Sequence, residues 1–336
     1  MRFAAAFRRV LSALRCLSRV AGEVDSAQRW RVRVGTGLDK IPSPGAANAA
    51  PTSPASGRGN ARVFLLLLFA LLSFTATPAL AGPHRIVSLN LCADALVLRL
   101  ADRADVQSVT WLARDPENSV VAAEAASVPV NHAQAEEVAA LRPDLVVVGA
   151  FTARSTVALL RRLGMPVLEI GVPRDIDGIR AQIRQVAAAL GQAERGEAMI
   201  AAMDARLAAI RPPAAPPLAV VLRPNGFTAG RGSLVDEILR RAGVRNLAAE
   251  QGLENYGEIP LERVALAGVR LLILNQPENG APSLGEAMLD HPILSALPDL
   301  RLVRVPPRLW TCGGPEVADA AALIAAAARQ AEGEGA

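Results

Sequence analysis

The side chains best suited to recognise a ligand in this 336-residue chain stand where its predicted strands end. Downstream of residue 81 the aromatic residues are Trp111, Phe151, Phe227, Tyr256 and Trp310. Trp111 closes a predicted strand, and Phe151 follows the run DLVVVG at 144–149. Phe227 lies just beyond a strand ending at Leu222, Tyr256 stands in the loop 254–257, and Trp310 follows a strand at 302–305. Rings are ordinarily core material, yet here the predicted interior is left to Ala, Leu, Val and Ile. In open α/β sheets the ligand crevice lies beyond the carboxyl ends of the strands, and pockets combine aromatic walls with a few polar groups. Polar residues share these loops: Asn90, Arg114 and Asp115 in the first half, and Arg223, Asn225, Thr228, Arg231, Gln276, Arg308 and Thr311 in the second. Arg223 closes a strand and Arg231 precedes a helix start at Ser233, which suits both to an anionic or amide-rich ligand.

Motifs for bond-making chemistry are missing. Gly230-Arg231-Gly232 opens like a dinucleotide loop, but Val235 occupies the third glycine position. There is no P-loop, no G-x-S-x-G elbow and no H-E-x-x-H. His84, His132 and His291 are scattered, and Cys16, Cys92 and Cys312 form no C-x-x-C, so a zinc or manganese site is disfavoured and no cofactor is expected.

The elements that must position these residues alternate. Strands are predicted at 85–89, 106–111, 144–149, 166–171, 218–222, 270–274 and 302–305. Helices are predicted at 92–101, 133–141, 156–163, 233–242, 261–266, 283–297 and 315–329. Strands alternating with helices argue for βαβ units and an α/β class, and the unbroken apolar DLVVVG fits a parallel strand covered on both faces. Residues 176–210 break the rhythm with 35 residues of helical pattern and one break at Gly191, before Pro212-Pro213 and Pro216-Pro217 stop it. The expected organisation is a leader (1–81), an N-terminal lobe (82–175), connecting helices (176–216) and a C-terminal lobe (217–336). An internal repeat supports two related lobes: AEEVA (135–139) leads into LVVV (145–148) as LERVA (261–265) leads into LLIL (271–274), both offset by 126 residues.

Charge follows the same division. The chain carries 36 Lys+Arg and 32 Asp+Glu, but 11 of the basic and 3 of the acidic residues fall in 1–81. The remainder is net −4 and has no basic stripe, so nucleic-acid binding is not expected. Residues 63–74 (VFLLLLFALLSF) are too short to span a bilayer comfortably but suit a signal-peptide core. Arg58 and Arg62 precede this run and Ala79-Leu80-Ala81 follows it. The pattern predicts export by a signal peptide at 58–81 with cleavage after Ala81, and a periplasmic location. The Arg-rich stretch 1–60 reads as an overextended start.

The chain resembles the periplasmic substrate-binding proteins of cobalamin and iron-chelate ABC importers. The resemblance runs over 84–330. It is carried by RIVSLNLCADAL (85–96), EEVAALRPDLVVVG (136–149), the helical connector, GFTAGRGSLVDEIL (226–239), EIPLERVALAGVRLLIL (258–274) and HPILSALPDLRLVRVP (291–306). It implies two Rossmann-like α/β lobes joined by a long rigid helix, with the ligand clamped between them. It also implies a monomer that delivers a metal chelate, a ferric siderophore or cobalamin, to a permease driven by an ATPase. Glu136 and Glu262 match the acidic residues by which such proteins dock on the permease. Phe227 and Tyr256 match ring positions that flank the ligand; Trp111 and Trp310 match less cleanly. Val130 stands where a cobalamin binder has an aromatic residue, whereas Arg114, Arg223 and Arg231 suit an anionic ferric siderophore. Haem is a further candidate, with His132 or Tyr256 as axial ligand. Cys92 and Cys312 both follow strands, and a disulfide between them would tie the lobes together near the cleft. An exported α/β enzyme and a sensing module without a transport role are the alternative readings.

Overall fold

In the computed structural model, residues 82–275, 294 and 300–333 are described, and all belong to one compact unit. The leader 1–81, Gln276, His291 and most of the helix expected at 283–297 lie outside the described residues. The first sheet is built from β1 (Ile86–Ser88), β2 (Val106–Thr110), β3 (Val130–Asn131), β4 (Leu145–Gly149) and β5 (Val167–Ile170), in the order β3-β2-β1-β4-β5. Between these strands run α1 (Leu91–Leu100), α2 (Ala122–Ala125), α3 (Ala135–Leu141) and α4 (Arg154–Arg162). Two long helices follow, α5 (Ile176–Ala189) and α6 (Ala193–Ala208). They break where the sequence places a glycine: Gly191 adopts φ +70°, a left-handed helix terminus that glycine takes without steric cost.

The second sheet holds β6 (Leu218–Leu222), β8 (Arg245–Asn246), β10 (Leu271–Leu274) and β11 (Arg301–Arg304), in the order β11-β10-β6-β8. A short antiparallel ribbon of β7 (Phe227–Ala229) and β9 (Tyr256–Glu258) stands apart from it. Helices α7 (Leu234–Arg241), α8 (Leu247–Glu250), α9 (Leu261–Leu266) and α10 (Val317–Gly333) complete this half. Pairing within both larger sheets is parallel, as the alternation of strands and helices requires. Four strands of the first sheet run β2-β1-β4-β5 and the second sheet runs β8-β6-β10-β11, so the two share one topology over these strands, with β3 an added edge strand of the first. The sequence repeat falls on α3–β4 and α9–β10 within it.

Alternating residues fill different layers. On β4, Leu145 and Val147 join the inner core while Val146 and Val148 face the outer cluster with Leu160. On β10, Leu271 and Ile273 point inward and Leu272 and Leu274 outward toward Val264. The inner core does not stop between the sheets. It passes from Ile86 and Leu100 through Ile179, Ile183 and Met203 of α5 and α6 to Ile238, Leu239 and Ile324. Prying the halves apart would expose this shared surface at ~25 cal/mol per Å². Polar ties reinforce it. Arg99 of α1 pairs with the buried Glu316 beside α10. Arg206 of α6 bonds Asp319 at 2.8 Å, and Arg195 bonds Asp102 at 2.7 Å. Among the described residues no helix is long and apolar enough to cross a membrane.

Candidate functional site

The carboxyl ends of the two sheets meet at one cavity of ≈ 240 Å³. Asn90 after β1, Phe151 after β4 and Val172 after β5 line it from one side, and Thr311 and Gly313, after β11, from the other. The approach is close: a Cβ on Gly313 would lie 2.0 Å from a ring carbon of Pro173, so only glycine fits there. Cys92 and Cys312 are joined as a disulfide in this wall, with Cα atoms 5.1 Å apart.

On the C-terminal half, the turn Pro224-Asn225-Gly226 reverses the chain after β6. Asn225 and Gly226 both take positive φ, +60° and +74°, and the Arg223 N–H donates to the Phe227 carbonyl at 2.9 Å. Asparagine and glycine are the residues that tolerate this conformation. The turn launches β7 with Phe227 at its start. Phe227 is registered opposite Glu258, which sets Tyr256 diagonally across the ribbon on the same face. The two rings stack with centroids 5.9 Å apart and planes 5° from parallel. Both remain open to solvent, Phe227 at 36% and Tyr256 at 46%. Beneath the ribbon, Thr228 is buried and its hydroxyl donates to the Val221 carbonyl at 2.6 Å.

Arg223 is half-buried beside this pair. Burial pulls its guanidinium below the usual arginine range, opposed by the nearby Tyr256. Among the described residues its side chain has no hydrogen bond and no ion pair. A partly desolvated cation without a partner is costly unless a ligand supplies one. Arg231 differs: it is exposed, lies 3.8 Å from Glu254 and donates to the Ala249 carbonyl at 3.2 Å.

On the N-terminal half, Trp111 and Phe151 are exposed at 54% and 87%. Trp111 begins a 3₁₀ turn (Trp111–Arg114) directly after β2. Asp94, fully buried on α1, fixes this junction by accepting bonds from the Thr110 N–H and hydroxyl. Burial drives the Asp94 pKa up to about 6, with hydrogen bonds from Ser88 and Thr110 pulling the other way. A counterpart stands in the other lobe, where Asp236 of α7 accepts from Asn246 of β8 at 2.8 Å. Arg114 is committed to backbone carbonyls, donating to Ala125 at 3.3 Å and Val128 at 2.7 Å.

Trp310 departs from expectation. It is 3% exposed within the inner core, and its indole N–H donates to the Asn275 Oδ1 at 2.6 Å. With that donor satisfied the ring can be buried, so it does not face the cavity. Among the described residues Phe227–Tyr256 is the single ring–ring contact; Trp111 and Phe151 stand alone at their strand ends. Sequence reasoning missed Val172, Pro173 and, among the polar lining residues, Gln182 on α5. Gln182 lines the cavity although its helical spacing reads only as packing.

Glu136 and Glu262 are both exposed and both occupy the second residue of a short helix, α3 and α9, each leading into its lobe's β4 or β10. Among the described residues neither has an ion-pair partner. His132 is exposed and held by Glu137: its N–H donates to Oε2 at 2.7 Å, and its ring lies 3.2 Å from Oε1. The His132 backbone N–H is the main cause that holds the Glu137 carboxyl below its usual range. Among the described residues no group of three or more His, Cys, Asp or Glu could hold a bare metal ion.

The model of the family described as "Periplasmic binding protein" matches residues 86–305. Among solved structures, the periplasmic heme-binding protein RhuT from Roseiflexus sp. RS-1 is similar at 27% identity and TM-score 0.63, covering 74% of this chain and 99% of that one. The periplasmic vitamin B12 binding protein BtuF of Vibrio cholerae is similar at 17% identity and TM-score 0.54, covering 75% and 98%. A protein of the ABC-type Fe3+-hydroxamate transport system from Saccharomonospora viridis is similar at 22% identity and TM-score 0.57, covering 74% and 93%. No curated protein matches the chain significantly by sequence.

Proposed function

The chain belongs to the periplasmic binding protein family, and from that premise we propose that it captures a metal chelate between its lobes and delivers it to the permease of an ABC importer. The observation that carries this reading is the open Phe227–Tyr256 stack beside Arg223, whose side chain has no hydrogen bond or ion pair among the described residues. Two parallel rings offer a flat apolar face for a chelate, and the desolvated guanidinium selects a ligand that presents oxygen to it. Trp111 and Phe151 supply the opposing rings from the first lobe. No bond is made or broken, and the metal is cargo held by its own chelator. Glu136 and Glu262 are the docking points, one per lobe, on a permease driven by an ATPase. Export by the leader, with cleavage after Ala81, brings the protein to the periplasm as a monomer.

Within this class, corrinoids and ferric siderophores are the first candidates. Haem is the second reading, favoured by the 27% identity to a heme-binding protein. Calorimetric titration of the purified protein with haemin, cyanocobalamin and ferrichrome tests the proposal. One of them is expected to bind at micromolar concentration or tighter, and Phe227→Ala, Tyr256→Ala and Arg223→Ala should each weaken it about tenfold, ~1.4 kcal/mol. Binding of none, or binding indifferent to all three substitutions, would overturn it.

A further inference from the structure

The cavity at the meeting of the lobes carries a feature that packing does not explain. Gln182 of α5 is 6% exposed and lines it, yet among the described residues its side-chain amide has no hydrogen-bond partner. Its atoms are not sealed in the core, since the one fully buried, unsatisfied side-chain atom among the described residues is Nε of Arg270. The amide therefore opens onto the cavity.

Across from it stands the start of α1. Asn90 caps that helix, its Oδ1 accepting from the Cys92 N–H at 3.0 Å, which leaves its own NH₂ group for another partner. This placement is built into the sequence: a Cβ on Gly149 would lie 2.5 Å from the Asn90 side chain, so glycine is required at the end of β4. The remaining walls are largely apolar, formed by Phe151, Val172 and Pro173 with the Cys92–Cys312 disulfide, and Thr311 is the one further polar side chain among the described lining residues. No described lining residue is charged.

We propose that this cavity is a subsite for a neutral, amide-type arm of the bound chelate, hydrogen-bonded by Gln182 and Asn90. Gln182 offers both a donor and an acceptor, the complement of a carboxamide, which needs both. The ≈ 240 Å³ holds a small appendage and excludes a whole macrocycle. A carboxylate arm is rejected, because entering an apolar cavity without a cation costs the charge its hydration. The inference rests on the chelate reading and deepens it: carboxamide-bearing corrinoids and hydroxamate chelates fit, and a porphyrin whose arms are carboxylates does not.

A fragment test separates the subsite from the chelate reading. In protein labelled with ¹⁵N at glutamine side chains, propanamide is expected to shift the Gln182 NH₂ resonance, assigned by its loss in Gln182→Leu, while propanoate leaves it in place. No shift with propanamide up to 100-fold excess, or equal shifts with both, overturns the subsite whatever chelate binds. Gln182→Leu should also weaken cyanocobalamin or ferrichrome about tenfold and leave haemin within twofold. Gln182→Met, equally long and apolar, should do the same if the variants keep the wild-type melting temperature. Should propanamide bind while all three chelates fail, the subsite stands and the chelate reading falls.

Discussion

Asp94 offers a quantitative test of how the first lobe holds Trp111. Its carboxyl lies wholly inside the protein and grips Thr110, the residue before the exposed ring. Burial lifts its pKa from the ordinary 3.8 to about 6. Between these values the folded chain keeps the proton and the unfolded chain releases it. Stability therefore falls as pH rises from about 4 to about 6 and is level above. Each pH unit in that window is worth ~1.4 kcal/mol, so ionised Asp94 costs the fold ~3 kcal/mol at neutral pH relative to acid. The perturbation is Asp94→Asn, which keeps an acceptor for the Thr110 N–H and removes the titration. Urea unfolding of both proteins at pH 4.0 and 7.5 isolates this group from all others, because the rest cancel in the difference. The stability of D94N relative to wild type should rise by ~2.4 kcal/mol from the lower to the higher pH, since at pH 4.0 the unfolded carboxyl is already partly ionised. A difference that is the same at both pH values would refute the reasoning, since it would mean that Asp94 titrates as if exposed.

Three further outcomes follow from the same geometry. In the protein beginning at Gly82, which lacks Trp30, the exposed Trp111 and the buried Trp310 should respond differently to acrylamide: Trp111→Phe abolishes most of the quenchable emission, while Trp310→Phe leaves it but lowers the melting temperature. The Cys92–Cys312 link spans 220 residues of sequence. By loop-closure entropy its reduction should lower the unfolding free energy by up to ~5 kcal/mol, read as a drop in melting temperature on adding dithiothreitol. Finally, Glu136→Ala combined with Glu262→Ala should abolish uptake of the bound chelate in cells while calorimetric affinity stays unchanged; undiminished uptake would point to a sensing module instead.

Much of the architecture was legible because the periodicities are local. The break at Gly191, the buried DLVVVG strand and the helix at 261–266 follow from residue types and short-range patterning. The 126-residue repeat was legible too, and its meaning appears in the matching strand orders. The two-residue strands β3 and β8 and the short helix α2 carry too few residues to show a period. The β7–β9 ribbon is a non-local pairing that no window contains. At the site, sequence could put rings at strand ends but not say which way they turn. Trp310 turns inward because Asn275, 35 residues away, meets its N–H. Arg114 and Arg223 read alike in sequence, yet one is held by the carbonyls of Ala125 and Val128 and the other has no hydrogen bond or ion pair among the described residues. Gln182 was invisible because a polar residue on a buried helical face signals nothing until the cavity in front of it is seen.

The most direct test of a chelate held between the lobes is a crystal structure of the protein with whichever of haemin, cyanocobalamin or ferrichrome it binds. The metal complex is expected to lie against Phe227 and Tyr256, within hydrogen-bond reach of Arg223 and facing Trp111 and Phe151 from the other side. A complex seated on the outer surface of a single lobe, with those rings untouched, would contradict it.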